Sequence, residues 1–98
     1  MRFSVSAQKQ VNREHAWWRE HRDYPDVFPA ELEAAIQILT VLPGAGTPYT
    51  LSPIPGLRRI YLGKIACHLY YTFDEDEVIV RALWGARRER GPDIDRAI

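Results

Sequence analysis

Five residues in the second half of the chain carry groups that could hold an anion and move a proton: Arg59, Tyr61, His68, Tyr70 and Arg81. An imidazole titrates near neutral pH and can act as base or acid. A guanidinium offers a planar fork of donors to carboxylates and phosphates. A phenol with a pKa near about 10 is a poor proton donor at neutral pH unless its surroundings help it. A turn centred on Gly63-Lys64 predicts Tyr61 opposite Ala66, Arg59 opposite His68 and Leu57 opposite Tyr70. A turn centred on Glu75-Asp76 predicts Tyr70 opposite Arg81 and His68 opposite Leu83. Both registers gather the five on one sheet face beside Leu57, Ile79 and Leu83. Such a face reads equally as a binding surface and as a half-solvated sheet face, where Tyr and Arg are common.

Other chemistries find less support. The histidines at 15, 21 and 68 have no Cys, His or carboxylate partners at ligand spacing, so no metal site is expected. Gly44-Ala45-Gly46 runs into Thr47-Pro48 and not into a helix start, which makes it turn chemistry and no phosphate loop. Cys67 sits in the apolar run 65–69 and reads as a buried thiol; no serine has a nucleophile-elbow context. No cofactor is expected. Trp17-Trp18 could anchor a partner, but tryptophan at helical spacing in a small domain is more often core, and Trp18 is assigned there.

The elements that must position the five residues follow from apolar spacing. Residues 2–6 alternate and predict a short strand. From Ala7 to about His21, Ala7, Val11, Glu14 and Trp18 share a helical face. Arg22-Asp23-Tyr24-Pro25 breaks that helix. Asp26 can cap the next one, and Pro29 is tolerated in its first turn. This second helix is predicted to run to about Val41, with Phe28, Leu32, Ala35, Ile36, Leu39 and Leu42 inward. A Pro/Gly-rich segment, 42–56, separates this half from three period-two stretches, 57–62, 65–73 and 78–84, which predict an antiparallel meander. Its apolar face, Ile60, Leu62, Ile65, Cys67, Leu69, Tyr71, Phe73, Val78, Val80, Ala82 and Trp84, is predicted to pack on the helices. The expected fold is α+β, in the order β-α-α-β-β-β, with a helix hairpin on one face of a small, mainly antiparallel sheet.

Composition limits the rest. The 98 residues suit one domain spanning 1–98, and 46% hydrophobic with 27% charged residues is ordinary globular composition. Thirteen Lys and Arg balance thirteen Asp and Glu, which argues against gripping a polyanion through the overall field. Local basic clusters remain at Arg58-Arg59 and at Arg87-Arg88-Glu89-Arg90. No apolar stretch is long enough for a membrane span and the start lacks a signal-peptide core, so a soluble, cytoplasmic protein is expected.

Two sets of residues carry a resemblance to a known family. Trp17-Trp18-Arg19-Glu20-His21-Arg22, then Phe28 with Glu31-Leu32-Glu33-Ala34-Ala35, look like the helix hairpin of the RelE/ParE toxin superfamily. Ile54-Pro55-Gly56-Leu57-Arg58-Arg59-Ile60, His68-Leu69-Tyr70-Tyr71 and Val78 to Arg87 resemble its meander, with a ParE-like Gly85-Ala86-Arg87 ending. The resemblance covers nearly the whole chain, and the order of the motifs carries most of its weight.

What it implies is the toxin of a type II toxin-antitoxin module, neutralised by a cognate antitoxin. The superfamily contains ribosome-dependent mRNA endonucleases and inhibitors of DNA gyrase, so site chemistry must choose between them. Cleavage by 2′-hydroxyl attack needs a base, a phosphate clamp and an acid. His68 could be the base and Arg59 or Arg81 the clamp, with Tyr70 or Tyr61 standing in for the acid. In many nucleases of the family a histidine or tyrosine lies near the end of the last strand, and here that position reads Gly85-Ala86-Arg87-Arg88. The missing acid and the neutral net charge favour a ParE-like inhibitor that binds gyrase, over a nuclease acting at the ribosome; a solitary toxin fold without activity is the third reading. Target or antitoxin contacts are expected at Arg59, Tyr61, His68, Tyr70, Arg81, Leu83, Arg87 and Arg88. The antitoxin segment that buries Tyr61, Tyr70 and Leu83 is expected to be acidic, with no sequence-specific DNA binding by this chain alone.

Overall fold

The structure is a computed structural model that describes residues 1–86, 91, 92 and 94. Its elements are β1 (Arg2–Phe3), α1 (Val5–His21), α2 (Val27–Val41), β2 (Thr47–Pro48), β3 (Arg58–Leu62), β4 (Cys67–Phe73) and β5 (Val78–Gly85), with a 3₁₀ turn at Pro43–Ala45. The strands form one open sheet in the order β1-β5-β4-β3-β2, antiparallel except where β1 runs parallel to β5. Both helices pack on one face of it. The chain is therefore α+β, as its apolar spacing predicts.

The first strand is shorter than expected because Ser4 starts a helix. Its Oγ accepts from the Ala7 N–H at 3.1 Å, one of the donors that have no partner inside the first turn. The same hydroxyl donates to the Arg81 carbonyl at 3.3 Å, and the Ser4 N–H donates to the Val80 carbonyl at 2.9 Å. One buried serine thus ends β1, caps α1 and ties both to β5. Helix α1 buries Ala7 and Val11, and leans Trp18 on the core. His15 stacks on Phe28 at 5.4 Å between ring centres, holding α1 against α2. In α2 the inward residues are Phe28, Leu32, Ala35 and Leu39, with Ile36 partly buried against them. Two expectations fail here. Asp26 makes no side-chain cap bond, and Leu42 lies past the helix end with 62% of its surface exposed.

The segment after α2 contains a strand that its prolines concealed. Tyr71, fully buried on β4, donates its hydroxyl to the Pro43 carbonyl at 2.6 Å and accepts from the Gly46 N–H at 2.9 Å. The Gly46 carbonyl in turn accepts from Arg58 Nε at 3.1 Å and Nη2 at 2.8 Å. These bonds hold β2 beside β3, with Thr47 opposite Arg59. Position 46 must be glycine. A Cβ there would lie 2.7 Å from the Arg59 carbonyl and from the Tyr71 hydroxyl, well inside contact distance.

Two registers differ from expectation, with opposite results. The turn between β3 and β4 has four residues, Gly63 to Ala66, with Ala66 at φ 51°, so Arg59 faces Tyr70 and Tyr61 faces His68. That register differs by two residues, an even slip, and every side chain keeps its predicted face. On the other side, Phe73 pairs with Val78 and Tyr71 with Val80, as predicted. A bulge at Arg81 then shifts the pairing by one, giving Tyr70 with Ala82, Leu69 with Leu83 and His68 with Trp84. An odd slip reverses the faces. Leu83 joins the helix-side core at 1% exposure, while Ala82 and Trp84, predicted on the helix side, lie on the opposite face with Tyr70.

Candidate functional site

The face turned from the helices is built in two parts. Its middle is a second small core in which Ile54, Leu57, Tyr70 and Ala82 are buried, with Tyr49, Trp84 and Ile94 packed against them. The loop from Tyr49 to Leu57 covers this region, closed by the Tyr49 N–H on the Leu57 carbonyl at 2.9 Å. Gly56 allows the return of that loop, since it sits at φ +73°, where a side chain is disfavoured. Tyr70 is consequently 2% exposed. Together with buried Leu83, this corrects the expectation that both present surface to a partner.

What stays accessible is the side of the face nearest β2. Tyr61 is 55% exposed and its ring lies 5.2 Å from that of His68, its cross-strand partner. Arg59 donates from Nη1 to the Tyr70 hydroxyl at 3.4 Å and lies with its guanidinium carbon 5.0 Å from the centre of the Tyr49 ring. A cleft of about 230 Å³ joins Arg59, Tyr61 and His68 to the β2 edge at Ala45, Gly46 and Thr47. The His68 imidazole titrates below its ordinary 6.5, first because partial burial disfavours the charged form and second because the Arg59 guanidinium repels it. It is therefore neutral at pH 7 and able to accept a proton or a hydrogen bond.

Arg81 belongs to a different place. At the bulge it donates from Nε to Thr72 Oγ1 at 3.1 Å, and its Nη1 is buried without an acceptor among the described residues. It lines a cleft of about 380 Å³ with Ile54, Pro55, Phe73, Asp74, Glu77 and Ile79. Thr72 is four residues along β4 from His68, about 13 Å of strand. The structure thus brings together Arg59, Tyr61 and His68, buries Tyr70 beneath them, and sets Arg81 apart. Arg87 and Arg88, also expected at the site, lie outside the described residues.

Tyr49, Thr47 and Trp84 take part in this face although their positions in the sequence do not announce it. Tyr49 and Thr47 come from a proline-flanked loop with no periodicity to read. Trp84 reaches the face only through the bulge. Among the described residues no three His, Cys, Asp or Glu side chains gather in a way that could hold a metal ion. No helix among them is long and apolar enough to cross a membrane. Compared with models of protein families and with curated proteins, the chain matches none.

Proposed function

We propose that this chain is a RelE/ParE-like toxin of a type II toxin-antitoxin pair, of the ParE-like kind, which inhibits DNA gyrase by binding and is neutralised by a cognate antitoxin. The observation that carries the reading is the dispersal of the groups a ribonuclease would need. Tyr70 is buried with its hydroxyl against Arg59, and Arg81 is bonded to Thr72 at a distance from His68. A stoichiometric inhibitor needs no assembled acid, base and clamp; it needs an accessible surface with aromatic and cationic contacts, such as Tyr61, Arg59 and His68 provide. The balanced charge of the chain supports a protein target in the same way. The resemblance of the hairpin and meander residues, with two helices on a mainly antiparallel sheet, supports the family. Purified protein added to a gyrase supercoiling reaction is expected to depress supercoiling; an unchanged reaction at molar excess removes this reading.

One observation favours the nuclease as a second reading. His68 is held neutral beside Arg59 and an exposed phenol, the beginning of a base with a phosphate contact. Message cleaved in a cell-free translation reaction, and left intact when His68→Ala and Arg59→Ala are combined, would establish it in place of the first.

A further inference from the structure

A cleft of about 670 Å³ lies away from the face just discussed, between the second half of α1 and the turn from β3 to β4. Its helix wall is Glu14, Trp17, Trp18 and Arg22; Lys64 and Ala66 stand on the turn side. Its volume is that of a ligand-sized site. Trp17 keeps 40% of its surface exposed although it stacks on His21, with ring centres 4.7 Å apart. The Arg22 guanidinium lies 4.9 Å from the Trp17 ring centre and 5.5 Å from that of Trp18. Stacking occupies the flat face of a guanidinium and leaves its N–H groups in plane, directed outward. Those of Arg22 have no acceptor among the described residues.

The turn side is held from behind. Glu31 on α2 accepts from the Lys64 N–H at 2.8 Å, and the Ala66 carbonyl accepts from the Ala86 N–H at 2.8 Å. A cleft fixed in this way loses little freedom when filled, which raises affinity for whatever fits it. What fits has two parts: an apolar group against the tryptophans, and an anion for the Arg22 edge and Lys64. Among the described residues that line it, two cations, Arg22 and Lys64, beside one carboxylate, Glu14, suit a single carboxylate better than the repeated charges of a nucleic acid.

We propose that this cleft receives a segment of a partner protein in which a carboxylate side chain neighbours an aromatic or long aliphatic one. The inference rests on the proposed binding role only in taking the source to be a protein, and its test does not use gyrase. The uniformly ¹⁵N-labelled chain is titrated with 3-phenylpropanoate and, separately, with the neutral 3-phenylpropanamide. The acid is expected to shift the indole N–H signals of Trp17 and Trp18 and the amide of Ala66, and to bind roughly three- to fivefold tighter than the amide, the range of an exposed ion pair. Arg22→Gln, with the remaining spectrum unchanged, brings the acid down to the amide's affinity; Lys64→Gln, in an exposed turn, weakens it in the same direction. Equal binding of acid and amide overturns the proposal. So do shifts confined to Trp84, or a ten-nucleotide single-stranded RNA that perturbs the same signals at a lower concentration than the acid. Loss of gyrase inhibition as a property of the chain would leave these outcomes unaffected.

Discussion

Replacing Tyr71 by Phe tests how the edge of the candidate site is held. The ring is fully buried and its hydroxyl bridges the Pro43 carbonyl and the Gly46 N–H, joining the segment after α2 to the middle of the sheet. Phenylalanine keeps the ring, so the core volume is unchanged and the loss falls on two hydrogen bonds. Gly46 is buried, so its N–H is left without a partner, at a cost of about 1–3 kcal/mol. The half-buried Pro43 carbonyl loses a bond worth about 1 kcal/mol and can recover part of it from water. The sum is about 1–4 kcal/mol, a large share of the roughly 5–15 kcal/mol that stabilises a domain of this size. Urea unfolding followed by circular dichroism is expected to show it as a lower midpoint with an unchanged slope. The thermal midpoint should fall by roughly 4–30 °C, at about 4–8 °C per kcal/mol. A loss below about 0.5 kcal/mol, no more than a surface substitution, would refute the assignment of this hydroxyl as the fastening of β2.

Three further outcomes are expected. Arg59→Gln removes the charge that repels protonated His68, so the imidazole titrates closer to 6.5 in an NMR pH series; because folding lowers its pKa, wild-type stability should also decline as pH falls below 6.5, with a shallower decline in the variant. Ala66→Gly relieves a left-handed residue costing roughly 1–2 kcal/mol, less the 0.5–1 kcal/mol of added chain freedom, so stability should rise by about 0.5–1 kcal/mol in denaturant melts. Ser4→Ala removes the α1 cap and the bond to Arg81 and should cost about 1–2 kcal/mol by the same measurement.

The helix hairpin was legible because Phe28, Leu32, Ala35 and Leu39 repeat at one helical period and Pro43 ends the run. The grouping of Arg59, Tyr61 and His68 survived a wrong turn length because a slip of two residues conserves faces. The bulge was not legible. From Val78 to Trp84 every residue but Arg81 is apolar, so the pattern does not mark where the alternation changes phase, and Leu83 and Trp84 were assigned to each other's side. The burial of Tyr70 was hidden for another reason. Its cover comes from Tyr49, Ile54 and Leu57, whose contacts depend on the path of a loop and not on any repeat.

The parallel pairing of β1 with β5 joins residues 2 and 3 to residues 79 and 80. A polypeptide made from its N-terminus holds its first strand in waiting until residue 80 has been synthesised, and only then can the sheet edge close. Helix α1 waits with it, since Ser4 and Gln10 are bonded to β5 at Arg81 and Leu83. A truncated product lacking β5 would leave the edge of β4 and the inner side of α1 bare, exposed to proteolysis and aggregation.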